Sequence, residues 1–217
     1  MKKGEKKKQQ KALARRTERK AKQKTTHAVL QLNPALNTIR QARNYPLLGC
    51  WTAKNWDESG MAVVVVARRQ PDGHVVFGAF EVDYYCLGVK DAFCNADVPY
   101  SQFLKEYVPK MVASGPPLEI KPDLAHELIY GSVEYAARWG LRPHPDFKLA
   151  QQVLDPPEQH PRTGKVTFGK NGKPFYVSGP YDNVQAIVRQ LERTAGQGNF
   201  DFMVHMGEPP FDGLEFV

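Results

Sequence analysis

The chain has 217 residues, 41% of them hydrophobic, with 30 Lys or Arg against 23 Asp or Glu and a formal net charge of +7. That length suits one domain or two small ones, no apolar run approaches the ~20 residues of a membrane-spanning helix, and no signal-peptide pattern is found. The three cysteines, Cys50, Cys86 and Cys94, form neither a C-x-x-C pair nor a disulfide framework, so a reducing cytoplasm is the expected setting.

The charge is unevenly placed. Residues 1–24 hold 12 Lys or Arg and 2 Glu, a net of +10, whereas the remaining 193 residues hold 18 basic and 21 acidic side chains. The only apolar side chains of this leader are Met1, Ala12, Leu13, Ala14 and Ala21. They are too few to offset the entropy of ordering, so a disordered polybasic tail is predicted. Lys6, Lys7, Lys8, Lys11, Arg15, Arg16, Arg19 and Lys20 are the residues expected to meet phosphates. Such contacts give salt-sensitive affinity with little sequence information. A solubilising tail and an anionic membrane surface are the alternatives. The membrane reading has against it one Leu, no aromatic residue, and Lys2 where myristoylation needs Gly.

Residues 25–217 are expected to form an α+β body. A short helix is predicted from about Pro34 to Arg43, followed by a turn-rich stretch anchored by Trp51 and Trp56. Met61 to Arg69 and His74 to Tyr85 are strand-like and flank the turn residues Pro71-Asp72-Gly73, which predicts a β-hairpin. A helix follows over Tyr100 to Met111, broken by Ser114-Gly115-Pro116-Pro117. The clearest helix runs from Pro122 to about Trp139, with Leu124, Leu128, Ile129, Val133, Ala136 and Ala137 as its apolar stripe. A short helix over Pro145 to Val153 ends at Asp155-Pro156-Pro157.

Lys165 to Phe168 and Pro174 to Ser178 flank Asn171-Gly172 and predict a second hairpin. Asp182 is placed to cap a helix carrying Val184, Ile187, Val188 and Leu191, and Phe200 to Met206 is a candidate last strand. The fold class predicted is therefore α+β: two β-hairpin-plus-helix blocks with a mainly antiparallel sheet. The break at 155–163 is a candidate division between two lobes.

No phosphate-binding glycine loop, dinucleotide fingerprint or nucleophile elbow is present, so no motif fixes a reaction. His126-Glu127 begins like a zincin, but Tyr130 stands where the second His would be. His126, Tyr130 and Glu134 share one helical face, expected to be solvated, with Glu134 spaced to pair with Arg138. Asp83, Asp91 and Glu134 are candidate ligands for Mg²⁺, which favours oxygen donors; a structural network or an edge-protecting charge is the leading alternative. With His144 as a general base held by Arg142-Pro143-His144-Pro145-Asp146, they would form the catalytic set of a Mg-dependent nuclease or phosphodiesterase. The alternative there is a rigid connector with Asp146 as N-cap. Gly179 to Asn183 offers backbone N–H groups to an anion, but Asp182 opposes one. His205, Cys86 and Cys94 are expected to be packing residues. The leading expectation is a cytoplasmic protein associated with nucleic acid, RNA or the ribosome ahead of DNA. The nuclease and a protein-interaction module with a solubilising tail are the rivals.

Overall fold

The computed structural model describes residues 34–204; the polybasic leader and His205 lie outside them. Four strands run in succession as an antiparallel meander: β1 (Leu47–Ala53), β2 (Met61–Arg69), β3 (His74–Asp83) and β4 (Gly88–Pro99). A short β5 (Pro117–Ile120) returns to pair antiparallel with β1, giving the order β4-β3-β2-β1-β5. The architecture is α+β with a mainly antiparallel sheet.

The β2–β3 hairpin forms where predicted. Its loop closes with the Gln70 N–H donating to His74 O at 2.9 Å and His74 N–H to Asp72 Oδ1 at 2.9 Å. Gly73 takes φ +87°, the left-handed position of a three-residue loop. β2 and β3 are buried on both faces, which explains the unbroken Val63–Ala67 run.

Alternate residues separate the two core layers. Val65, Ala67, Val75, Phe77 and Ala79 pack against Phe103 and Val108 of a helix, α2, over 100–111, and against Val112 just after it. Val64, Val66, Val76, Phe80 and Val82 pack with Ile39, Leu128, Ile129, Phe147 and Val153. These last come from α1 (Pro34–Arg40), from α3 over 122–138, from α4 (Phe147–Ala150) and from the 3₁₀ turn after it. Helices thus cover both faces of the sheet.

A smaller cluster of Cys86, Leu87, Tyr176, Leu191 and Phe200 joins α5 (Val184–Thr194) to a second sheet. Here the structure departs from the predicted hairpin. The Asn171-Gly172 turn exists, with φ of 54° and 77°, but only Lys170 and Lys173 pair across it. Residues 165–168 form no strand, and β6 (Phe175–Val177) instead pairs in parallel with β7 (Asp201–Met203). The turn chemistry acts locally, while the partner strand is chosen by the α5 packing. The helix cap is also displaced by one residue. Asn183 Oδ1 accepts from Ala186 N–H at 3.1 Å, leaving Asp182 to other partners.

β1 and β4 were not anticipated as strands. β4 mixes Lys90, Asp91, Asn95 and Asp97 with apolar residues and carries register shifts against β3. Among the described residues no helix is long and apolar enough to cross a membrane.

Candidate functional site

α3 starts at Pro122, whose missing N–H costs nothing at a first helical position. Its apolar stripe enters the core through Ala125, Leu128 and Ile129. Between Glu127 and Gly131 the helix widens into a π turn. Such turns are rare and concentrate at functional sites. The polar stripe beside the core, expected from the sequence to be a solvated face, is exposed at Glu134 but buried at His126. His126 and Glu127 are each only 4% exposed, and with Tyr130 and Glu134 they wall a cavity of about 410 Å³.

The opposite wall is the segment 157–162, including Pro157, Glu158, His160, Pro161 and Arg162. Glu127 fastens this segment to the helix. Its carboxylate accepts from Thr163 N–H at 2.9 Å, from the Thr163 hydroxyl, and from Gly164 N–H at 3.1 Å. Arg162 closes the rim, donating to Glu127 O at 3.2 Å and pairing with Glu134 Oε2 at 2.5 Å. Glu134 therefore pairs with Arg162 where helical spacing predicts Arg138.

His160 lies inside this wall between two carboxylates. Its Nδ1–H donates to Asp123 Oδ1 at 2.7 Å, and its Nε2 lies 3.3 Å from Asp155 Oδ2. Its ring stacks on His126, centroids 3.9 Å apart and planes at 33°. His126 Nδ1 is buried without a hydrogen-bond partner. Burial, seconded by the neighbouring His160, pushes the His126 pKa down to about 4, so its ring is neutral at pH 7.

Asp155 is held from below by Arg68, which is 4% exposed and pairs with Asp155 Oδ1 at 2.5 Å. The same guanidinium donates to Val153 O at 2.6 Å and Tyr45 O at 2.9 Å, so it cannot follow Asp155 outward. Burial raises the Asp155 carboxyl, but the Arg68 hydrogen bond and charge, with help from His160, outweigh it and hold the group below the usual carboxylate range. An anionic Asp155 thus faces two imidazoles across a few ångströms.

Of the predicted catalytic set, Asp91 and His144 lie together, whereas Asp83 and Glu134 have other partners. Asp83 sits at the end of β3, 4% exposed, and its Oδ1 accepts from Tyr85 N–H at 3.0 Å and Cys86 N–H at 2.8 Å. It caps the β3–β4 turn. Asp91 is exposed on β4, with His144 Nδ1 3.6 Å from its Oδ1 and 3.7 Å from Asp146 Oδ2. Asp146 stands at the N-cap of α4 without a side-chain capping bond. Glu134 belongs to the α3 cavity. Among the described residues, the group of three His, Cys, Asp or Glu able to share an ion is His126, Asp155 and His160, with donor atoms all within 4.8 Å of one another. Asp83, Asp91 and Glu134 are not brought together as such a group.

The loop at 179–183 is filled by its own acid: Gly179 N–H donates to Asp182 Oδ2 at 2.8 Å, Tyr176 donates its hydroxyl at 3.2 Å and Lys90 approaches at 3.3 Å. No room for an external anion follows from that arrangement. Cys50 and Cys86 are buried, and burial raises both thiols, Cys50 to about 12.

Sequence reasoning singled out His126 and Glu134 but missed Asp123, Asp155 and His160. The one local signal was Pro156-Pro157 and Pro161 flanking His160, the same proline stiffening that drew attention to His144. No protein-family model, curated protein or solved structure matches this chain, so its function is argued from this cleft and from where its charge lies.

Proposed function

We propose that this chain is a cytoplasmic nucleic-acid-associated protein, with RNA or the ribosome ahead of DNA as its partner. The leader supplies electrostatic affinity and the α+β body supplies position. The observation that carries this reading is the charge asymmetry. Residues 1–24 carry a net of +10, whereas residues 34–204 hold 18 Lys or Arg and 18 Asp or Glu, a net of zero. Residues 205–217 add only three acids. The body thus offers no acidic excess large enough to neutralise the leader, and a polyphosphate does. Release of its condensed counterions then drives association.

A chain lacking residues 1–24 tests the reading. The truncated protein is expected to keep its far-UV circular dichroism and lose at least about 10³ in affinity for a single-stranded RNA at low salt. Unchanged RNA affinity after truncation rejects it and leaves a solubilising tail.

A second reading, a metal-dependent phosphodiesterase, is favoured by the grouping of His126, Asp155 and His160, two of which, His126 and His160, line an open cleft. It replaces the Asp83, Asp91, Glu134 and His144 set with a different one.

A further inference from the structure

We propose that His126, Asp155 and His160 form a binding site for a zinc-type divalent transition metal, with Asp123 orienting His160 from behind. The proposal rests on the geometry of the α3 cleft and is independent of the nucleic-acid reading.

Three observations converge. The first is spacing. Two donors each about 2.1 Å from a tetrahedral metal lie about 3.4 Å apart; His160 Nε2 and Asp155 Oδ2 are separated by 3.3 Å. The second is the orientation of His160. Asp123 Oδ1 holds its Nδ1 at 2.7 Å, which aims Nε2 at the Asp155 carboxylate. The gap between Nε2 and that carboxylate takes either a hydrogen bond or a bridging cation. A carboxylate behind a ligating imidazole is the usual outer partner of a metal-bound histidine. The third is the burial of His126, 4% exposed and stacked on His160, with Nδ1 left without a partner. A buried imidazole nitrogen left without a partner is costly, and a cation bound there would satisfy it.

The donor chemistry selects the metal. Two imidazoles and one carboxylate suit zinc, cobalt or nickel, whereas Mg²⁺ keeps oxygen ligands and water. Three protein donors leave one tetrahedral position over, as metal sites that act on substrates do. The adjoining cavity, about 410 Å³, is large enough to admit a small ligand to it.

The test uses the full chain, stripped with chelator and titrated with Co²⁺ and then Zn²⁺. One equivalent of cobalt is expected, with ligand-field bands of a four- or five-coordinate site and displacement by zinc but not by millimolar Mg²⁺. His160→Gln and Asp155→Asn are expected to abolish the bands. Asp123→Asn, a milder change at a half-exposed carboxylate, is expected to weaken affinity about 10- to 100-fold while preserving the fold. A His27→Gln, His205→Gln double variant is expected to bind as the wild type does. Absence of stoichiometric cobalt binding overturns the proposal. So does wild-type affinity in Asp123→Asn together with either ligand variant, or loss of binding in the His27, His205 variant.

Discussion

Asp83 shows how a buried acid is settled by its nearest partners. An acid inside an apolar strand end requires a partner, and the sequence left two open, a metal ion or a structural network. The structure supplies backbone N–H groups from Tyr85 and Cys86. Burial raises the Asp83 pKa from 3.8 to about 6, with the backbone N–H groups and Lys90 opposing it. The folded value thus exceeds the unfolded one. The stability this group contributes is complete below about pH 4 and is lost as the pH rises through about 6. Asp83→Asn keeps the acceptor oxygen and removes the titration. Between about pH 4 and pH 7.5 the wild type is expected to lose on the order of 3 kcal/mol more unfolding free energy than Asp83→Asn, measured in urea. Parallel pH profiles for the two proteins would contradict this role for Asp83. His126 was legible as part of a polar stripe, but its stacking partner was not. His160 lies 34 positions away behind two prolines, and no periodicity links the two.

At the scale of elements, packing decides what propensity leaves open. The β2–β3 hairpin, α2, α3 and α5 were legible because each carries a clear period or turn signal. β1 was hidden by Gly49, Trp51 and its loop neighbours, and β4 by charged residues at its edge of the sheet. β6 found a parallel partner 26 residues away, which no local pattern could show. The β3–β4 turn illustrates such a packing constraint. Gly88 has φ +76°, and a Cβ there would lie 3.0 Å from Ala136 Cβ and 3.1 Å from Ser132 O on α3. Gly73, at φ +87°, has open space around the same position. Gly73→Ala is expected to cost about 1 kcal/mol from backbone strain alone, and Gly88→Ala about 1 kcal/mol or more beyond that, because the helix must move. Equal losses in thermal or urea unfolding would show that α3 does not press on this turn.

For the whole molecule, the α+β class followed from element order, since strands and helices alternate in blocks rather than as β-α-β units. The site did not follow, because its donors come from α3 and from the segment at 155–163 that the sequence marks only as a break. That segment lies against α3, held by Glu127 and by the Arg68–Asp155 pair. The distribution of charge, by contrast, is fully legible without a fold, and it bears the functional reading. The most direct test is the affinity of the full chain for a single-stranded RNA, measured between about 50 and 200 mM salt. With six to eight leader side chains on phosphates, the slope of log K against log salt is expected near −4 to −6. A slope close to zero at measurable affinity would contradict it.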